Sequence, residues 1–506
     1  MNKSIALGIL SGSLLTLTGI VVNILIIKLV IASLAPDIAG IWFIFLNIGA
    51  YILFLDLGIS PTVAREIGFI IGRGNADESS REERISDFIR TVSSLFRFLT
   101  FFALIFALGG GIWLISSRGY GLEIIAGWII FSFGAAINLL GGPAFAALFG
   151  LGQVSAEKLI KAFTQLLWLL MAWLALRAGT GILGLAAAWT VHSILGRLAG
   201  WWHLYRTNPW LRGKGHFDPA VLKTIAMPSL KWAAMGLGAI LILQTDNIII
   251  AYLMGPAVIT RYEPVMKIVW VLMTFSLISI NISVPFASRL HAAKDSAAFN
   301  ALLMRNVRYG VGLVVILVPF IGVYGDRIVY IWLGDGYFPG NDVLWVLLAM
   351  LVLEVHHVVH ASAVMAAGYI VFLPAALIAA LLKIILSVLL CGQFGLIGVP
   401  LGTLLAQLFT NNWYAPYKSM EKFGYSLKSY FLKMVAPLLV CLVGNILLCR
   451  VSRSLLPIPD DLFSISGFFL FYFALVAGLF WAFIVPTEEK YRFRGLVKKY
   501  AAAVFA

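Results

Sequence analysis

Residues 371 to 391 read VFLPAALIAALLKIILSVLLC and carry a single charged side chain, Lys383. An α-helix needs about 20 apolar residues to cross the hydrocarbon core of a bilayer. The run does not alternate polar with apolar positions, as a strand of a membrane β-barrel would. Because backbone hydrogen bonds cannot stay unpaired in lipid, the segment is predicted to be a transmembrane helix.

Similar runs fill the whole chain, which has 506 residues, 61% of them hydrophobic and 12% charged. Soluble domains are about 45–50% apolar and about 25% charged, so this composition predicts that lipid is the solvent. The predicted fold class is an all-α polytopic membrane protein with about 14 transmembrane helices. The predicted spans are 8–33, 38–60, 91–116, 124–150, 160–178, 182–205, 228–253, 262–286, 308–325, 343–366, 371–391, 396–416, 433–450 and 464–485.

The formal charge of +14 is explained by membrane topology. Lys and Arg punctuate apolar runs instead of forming a basic stripe with interleaved aromatic residues, so nucleic acid is not a predicted partner. Most of them fall in alternate loops, which places both termini in the cytoplasm of a multi-pass protein of the inner (plasma) membrane. The longest predicted outward loop, about Asp326 to Asp342, is too short to hold an independent catalytic domain. Cys391, Cys441 and Cys449 lack metal-ligand spacing.

Three pairs of short segments recur in the same order and at a nearly constant spacing, which favours an internal repeat. The alternative is that small residues simply permit close helix contact. The repeat predicts two pseudo-symmetric six-helix lobes plus two C-terminal helices: residues 1–205 as the N-lobe, 206–227 as a cytoplasmic linker, 228–416 as the C-lobe, and 417–506 as spans 13–14 with a basic cytoplasmic tail. The paired segments are 59–65 with 282–289, 147–152 with 364–368, and 181–184 with 395–398.

Segments 54–66 (FLDLGISPTVARE), 243–250 (LQTDNIII) and 262–267 (YEPVMK) resemble Wzx-type O-antigen flippases. These polysaccharide transporters belong to the MOP superfamily and are related to MATE multidrug exporters and lipid II flippases. The resemblance implies a MATE-like fold and the movement of an undecaprenyl-pyrophosphate-linked oligosaccharide to the outer leaflet by alternating access. It also implies, as partners, the lipid-linked oligosaccharide, membrane lipids and polysaccharide polymerase or assembly proteins.

Six basic residues lie inside predicted spans, where a charge at the bilayer centre costs about 2.5–3.5 kcal/mol. Lys383 is near the middle of its span, so we expect it to face a wet cavity or a buried acid. The other five lie nearer to span ends, and snorkelling to the headgroups is the alternative for each. A lumen lined by such cations would attract an anion. The predicted substrate-binding residues are Lys383, Lys267, Lys231, Arg197, Arg97 and Lys28.

Acidic and imidazole groups inside spans are the candidates for coupling to an ion, H⁺ or Na⁺. Asp246 is predicted to pair with Lys28 or Lys267, or to bind a coupling cation. A second group comprises Glu354, His357 and His360, with His356 one helical turn before His360.

Histidine titrates near neutral pH, so proton or substrate handling is one role for this second group, and hydrogen-bonded packing is the other. No cofactor is predicted. No metal is predicted either, because a third ligand beside the His356 and His360 pair is not evident.

Asp56, Arg65 and Glu66 near the inner end of the second span, with Arg289 in the repeat, form a predicted cytoplasmic gate; ordinary interfacial charge is the alternative. No catalytic residue is predicted, and the chain is not expected to be an enzyme. One rival function is a MATE-type multidrug exporter, which would prefer an acidic lumen, or an exporter of another lipid-linked precursor. A second rival is a membrane-embedded glycan-modifying enzyme, which needs a catalytic His or carboxylate near a membrane face.

Overall fold

The structure is a computed structural model that describes residues 3–72, 77–213, 215–369, 371–491 and 494–495. Within those residues every regular element is a helix and no strand occurs, as expected where lipid offers the backbone no hydrogen-bond partner. The predicted all-α polytopic membrane fold is confirmed. Arg73 and Lys214, two basic residues of the predicted cytoplasmic segments, and the end of the predicted basic tail lie outside the described residues.

The chain divides into two compact units, Met1–Glu263 and Pro264–Ala506. The lobe ranges predicted from the repeat stay a prediction. The described helices that lie wholly in the N-terminal unit are α1 (Lys3–Ser33), α2 (Pro36–Phe54), α3 (Ile59–Gly72), α4 (Glu78–Ser117), α5 (Leu122–Leu140), α6 (Gly142–Gly150), α7 (Val154–Arg177), α8 (Gly181–Thr207), α9 (Pro219–Gln244) and α10 (Asp246–Met254).

Helix α11 begins at the end of the N-terminal unit and continues into the C-terminal unit. A π-helical turn, Phe431–Val435, joins two helices of the C-terminal unit, α17 and α18. The described helices from here on are α11 (Ile259–Ala292), α12 (Ser296–Leu333), α13 (Asn341–Ala366), α14 (Leu373–Phe394), α15 (Gly398–Phe409), α16 (Asn411–Phe423), α17 (Leu427–Tyr430), α18 (Ala436–Leu455) and α19 (Leu462–Phe483).

Thirteen helical segments of the described chain are long and apolar enough to cross a membrane. One of them, Leu373–Phe423, has 51 residues, and a straight helix of that length would measure about 75 Å. It folds back at Gly395–Ile397 instead, and α15 packs closely against α14. A Cβ built on Gly402 would lie only 2.4 Å from the backbone nitrogen of Ser387. This contact of α15 with α14 makes the segment two of the predicted spans, so the expectation of about 14 agrees with the fold.

Several helices continue beyond the apolar runs. Helix α4 begins at Glu78, and α12 extends to Leu333. The predicted outward loop from about Asp326 to Asp342 is in part helical, since only residues 334–340 separate α12 from α13, and its place outside the bilayer stays a prediction. An apolar run measures only the part of a helix that lies in hydrocarbon, and polar residues can extend the same helix into the headgroup region.

Helix α12 is at the core of the C-terminal unit, because most of its apolar, membrane-spanning part is buried. Pro319 has no N–H, so the carbonyl of Val315, four residues earlier, loses its helical donor. Asn445 of α18 donates its side-chain amide to that carbonyl at 3.3 Å. Tyr472 of α19 donates its hydroxyl to the carbonyl of Ile316 at 2.8 Å. The last two predicted spans are thus anchored to the backbone of α12.

Candidate functional site: a charged cavity in the N-terminal unit

The second membrane segment is interrupted between α2 and α3. Leu57 and Gly58 have positive φ angles of 51° and 70°, and leucine adopts this left-handed conformation at a cost of about 1 kcal/mol. The Asp56 carboxylate accepts the Ser60 N–H at 2.9 Å, where it satisfies one of the unpaired donors at the start of α3. The predicted gate residue Asp56 is therefore fixed at a helix N-terminus within the segment.

A cavity of about 680 Å³ lies beside this interruption, and every residue of its wall belongs to the N-terminal unit. Five charged side chains line it: Asp56, Arg65, Glu157, Lys161 and Arg197. Two of these were predicted as a gate, and Arg197 was predicted from a separate argument as a substrate-binding cation. The fold brings members of both predicted groups to one cavity.

Arg197, on α8, is held in a defined orientation at the cavity. Its Nη2 donates to the side-chain oxygen of Asn138 at 2.6 Å, and Asn138 in turn donates to Ser193 at 2.6 Å. The guanidinium lies over the ring of Phe145, 4.7 Å from its centroid. In the part of the chain that the structure describes, no acceptor bonds the buried Nε of Arg197. The guanidinium therefore brings a fixed positive charge to the cavity wall.

Glu157 and Lys161 face the same cavity from the first turns of α7. The Glu157 residue is only 3% exposed, and its carboxylate forms ion pairs with Lys161 and, at 3.2 Å, with Lys158. The Lys161 ammonium lies 5.0 Å from the centroid of Phe145. Two cations, Lys161 and Arg197, thus contact one aromatic ring, an arrangement that cation–π attraction stabilises.

The cavity group carries a net positive charge. Arg65 pairs with Glu66 at 2.9 Å, although Glu66 is not part of the wall. With Glu66 and Lys158 included, the group holds four cations and three carboxylates. An electropositive, partly enclosed site of this kind favours an anionic ligand.

The sequence patterns did not single out Glu157, Lys161 and Phe145 as site residues. Lys161 was counted only as a topology signal, because it lies at the very start of an apolar run. The available signal was the spacing of Glu157 and Lys161, which places an acid and a base on one helical face at i, i+4. Phe145 carried no signal, since it is one of 35 phenylalanines in a largely apolar chain.

Of the four predicted cations in the N-terminal unit, only Arg197 lines the charged cavity. Lys28 is exposed in a mostly leucine-lined groove between α1 and α7. Lys231 is exposed on α9. Arg97 is exposed on α4, where it donates to Ser94 at 2.9 Å and lines a separate, smaller cavity.

The remaining predicted cations lie in the C-terminal unit. Lys383 is 0% exposed on α14, so its ammonium has no contact with solvent in this conformation. Lys267 is half-buried on α11, and Arg289 is exposed in the last turn of the same helix. The substrate and gate roles assigned to these three residues stay predictions.

Asp246 lies at the start of α10 in a polar network of the N-terminal unit. It is 6% exposed and accepts the Tyr262 hydroxyl at 2.7 Å. Nearby, Asn47 donates to Gln244 at 2.6 Å and accepts from Asn247 at 2.6 Å. The pairing of Asp246 with Lys28 or Lys267, and its role with a coupling cation, stay predictions.

Asn247 also donates to Glu263 at 3.0 Å, and the hydroxyls of Tyr51 and Thr245 are 3.0 Å apart. The network therefore joins α2 to the junction of α9 with α10 and to the start of α11, all within the N-terminal unit.

The predicted histidine group lies on α13 in the C-terminal unit. The rings of His356 and His360 are 4.8 Å apart, as their i, i+4 spacing requires. His357 points elsewhere and bonds the backbone oxygen of Asn411 through Nδ1 at 2.9 Å. Glu354 accepts the side-chain amide of Gln407 at 2.8 Å.

His356 and His360 both form hydrogen bonds with the hydroxyl of Tyr430. Nothing in the sequence pattern predicted this shared partner. Among the described residues no group of three or more His, Cys, Asp or Glu side chains is placed to hold a metal ion.

No family model and no curated protein matches the sequence, but solved structures match the fold. The lipid II flippase MurJ, in an inward closed conformation, aligns with a TM-score of 0.69 at 13% identity over 94% of this chain and 99% of the flippase. An inward-facing multidrug resistance MATE transporter of the MOP superfamily aligns with a TM-score of 0.62 at 15% identity over 80% of this chain and 94% of that one. A MOP-superfamily transporter from Pyrococcus furiosus, described as having a binding pocket of reverse polarity, aligns with a TM-score of 0.53 at 15% identity over 84% of this chain and 97% of that one. The chain therefore has the polytopic fold that MATE transporters and the lipid II flippase share.

Proposed function

We propose that this chain is a flippase that moves an undecaprenyl-pyrophosphate-linked oligosaccharide from the inner to the outer leaflet of the inner membrane, for the synthesis of O-antigen or another surface polysaccharide. The main support is the cavity at Arg197, whose guanidinium is held at the wall by Asn138 and whose surroundings carry net positive charge. Planar guanidinium groups bind phosphate oxygens through parallel hydrogen bonds. The fold shared with a lipid II flippase over 94% of the chain supports a lipid-linked cargo.

In this mechanism the cavity faces the cytoplasmic leaflet and receives the pyrophosphate and glycan, while the polyprenyl tail stays in lipid. Alternating access then carries the headgroup outward, driven by H⁺ or Na⁺ coupling. Asp56, Arg65, Glu66 and Arg289 act as the cytoplasmic gate, and both termini lie in the cytoplasm. Polysaccharide polymerase or assembly proteins receive the product.

A MATE-type multidrug exporter is the alternative that the fold also allows, since a MATE transporter aligns with a TM-score of 0.62. A cationic drug would need carboxylates in excess at its site, whereas the charged cavity has cations in excess. A membrane enzyme is a weaker alternative, because solved proteins with this fold include transporters and a flippase.

The test is a flipping assay with the purified protein in liposomes. The probe is a fluorescent disaccharide on a polyprenyl pyrophosphate, and membrane-impermeant dithionite quenches only the label in the outer leaflet. We expect wild-type protein to make the whole label accessible. Arg197→Gln should slow this about ten- to hundredfold, because charge-assisted hydrogen bonds contribute about 1.5–3 kcal/mol.

Arg177→Gln is the matched control. The Arg177 guanidinium also lies over an aromatic ring, 5.2 Å from the centroid of Trp173, but it is not part of the cavity wall. Equal rates for Arg197→Gln and wild type would remove the cavity from the mechanism. Transport of a cationic dye without flipping of the lipid probe would favour the multidrug alternative.

A further inference from the structure

Four side chains of the C-terminal unit form one continuous hydrogen-bonded chain. The hydroxyl of Tyr425 lies 3.2 Å from Nδ1 of His360, and Nε2 of His360 lies 2.9 Å from the hydroxyl of Tyr430. The same Tyr430 hydroxyl lies 2.6 Å from Nε2 of His356. The order is therefore Tyr425, His360, Tyr430, His356, with every link within hydrogen-bond distance.

The chain has the donor and acceptor pattern that proton hopping requires. A phenol has one proton, so Tyr430 donates to one imidazole and accepts from the other. His360 uses both ring nitrogens, and in its neutral form only one of them carries hydrogen. All bonds can therefore point in one direction or all in the other, and shifting each proton by one link converts one order into the other.

Burial encloses the middle of the chain, whereas its two end groups keep part of their surface exposed. His360 is 0% exposed and Tyr430 is 5% exposed. Tyr425 is half-buried in the turn between α16 and α17, and His356 is half-buried one helical turn from His360 on α13. Burial raises the pKa of the Tyr425 phenol to about 12, so this end group keeps its proton at neutral pH.

Two observations distinguish this chain from ordinary packing of buried histidines. His357 on the same helix is satisfied by a backbone oxygen, whereas His356 and His360 share a side-chain hydroxyl that can relay a proton. Tyr430 also directly precedes the π-helical turn, a local distortion that occurs frequently at functional sites.

The charged groups on the neighbouring elements are directed elsewhere: Glu354 bonds Gln407, Lys418 and Lys422 pair with Glu421, and Lys428 and Lys433 are exposed.

We propose that the chain of Tyr425, His360, Tyr430 and His356 is a proton-conducting path within the C-terminal unit, which joins the middle of α13 to the turn between α16 and α17. A proton bound at Nδ1 of His356 releases the Nε2 proton to Tyr430, whose own proton passes to Nε2 of His360. The Nδ1 proton of His360 then passes to Tyr425, and the phenol proton of Tyr425 leaves to water. One proton enters, one leaves, and only N–H and O–H bonds change; rotation of the groups resets the chain.

The test measures proton movement separately from lipid flipping, so the two proposals can fail independently. Liposomes contain the full-length protein and an internal pH dye, and a potassium gradient with valinomycin sets the membrane potential. We expect wild-type protein to carry protons, with or without the lipid-linked probe. Tyr430→Phe should lower the initial proton flux at least about tenfold, because the shared hydroxyl is the only link between the two imidazoles within the described residues.

Tyr472→Phe is the matched control, since Tyr472 is also 5% exposed in the same unit but donates to a backbone carbonyl of α12; its flux should equal that of wild type. If Tyr430→Phe lowers the yield of folded protein, Tyr425→Phe, at a half-buried position, carries the same expectation. Unchanged flux in the folded variant, or no proton flux through wild-type protein, overturns the proposal. Lipid flipping without proton movement would reject this path and leave the proposed flippase standing.

Discussion

At the scale of single residues, Phe145 has an unusual place between two cations. Arg197 and Lys161 lie 4.7 and 5.0 Å from the centre of its ring. Each contact of this type contributes about 0.5–2 kcal/mol. The ring holds two positive groups close enough to act on one ligand while it limits their mutual repulsion.

Replacing Phe145 by Leu should therefore weaken the cavity more than the loss of apolar volume would. We expect Phe145→Leu to lower the free energy of unfolding by about 1–3 kcal/mol and to slow flipping several-fold. Phe149→Leu is the comparison for the flipping rate alone, because Phe149 lines the same cavity from the same helix and, among the described cations, only Lys158 lies over its ring, at 5.9 Å; Phe149 is exposed, so it is no control for stability. Thermal unfolding and the dithionite assay would measure both effects. Equal effects of the two substitutions on the flipping rate would contradict a special role for Phe145.

Asn138 acts on the cavity through Arg197. Its side-chain oxygen accepts a hydrogen bond from Nη2 of Arg197 at 2.6 Å. Asn138→Ala should slow flipping, because the guanidinium loses the group that orients it. In a double-mutant cycle with Arg197→Gln, we expect a coupling energy of about 0.5–3 kcal/mol in the flipping rate. Additive effects would show that Asn138 serves only packing, and its role as a positioning residue would be rejected.

At the scale of helices, α14 and α15 form a tight hairpin that depends on glycine. A Cβ on Gly402 would meet the backbone of Ser387 at 2.4–2.5 Å, which no side-chain movement can relieve. Gly402→Ala should therefore separate the two helices and lower the melting temperature or the yield of folded protein; overpacking typically costs about 1–3 kcal/mol.

Gly392→Ala, on α14, provides the control because nothing lies within 4 Å of its built Cβ. Alanine favours a helix by about 0.5–1 kcal/mol over glycine, so this variant should be as stable as wild type or more so. Size-exclusion chromatography of heated samples would compare them. A Gly402→Ala protein as stable as Gly392→Ala would mean that α14 and α15 are not packed this closely.

At the scale of the whole molecule, membrane orientation is open to direct measurement. Helix α12 runs from Ser296 to Leu333, and its 38 residues span about 57 Å, more than a bilayer. Ser296→Cys and Asp335→Cys therefore place thiols at opposite faces, in a background where the three native cysteines are replaced. With the proposed orientation, an impermeant maleimide should label Asp335→Cys on intact cells and Ser296→Cys only after permeabilisation. The opposite pattern would invert the topology.

The sequence was sufficient to predict the helical membrane fold, because apolar runs and their spacing follow from the thickness of lipid. It also identified Arg197, since a charge inside an apolar run needs a physical reason. Its partners could not be predicted in the same way. Asn138 lies 59 residues from Arg197, and Tyr430 lies 74 and 70 residues from His356 and His360.

These partnerships depend on helix packing and, for Tyr430, on a π-helical turn. No periodicity marks such a turn, and no alternation of apolar residues reports which distant polar side chains will meet. The apolar runs also did not give the helix ends, as at Leu333, because polar residues extend a helix beyond the hydrocarbon boundary.

The amide that Asn445 gives to the carbonyl freed by Pro319 also has an evolutionary consequence. A carbonyl left unpaired in lipid costs several kcal/mol, so an amide at position 445 lowers the cost of proline at 319. Loss of the amide alone would leave the carbonyl of Val315 without this donor. A lineage that lost its last two helices would lose the amide with them, so a residue with an N–H at 319 would be favoured first. Among related sequences we therefore expect the two positions to covary, with proline retained chiefly where asparagine or glutamine faces it.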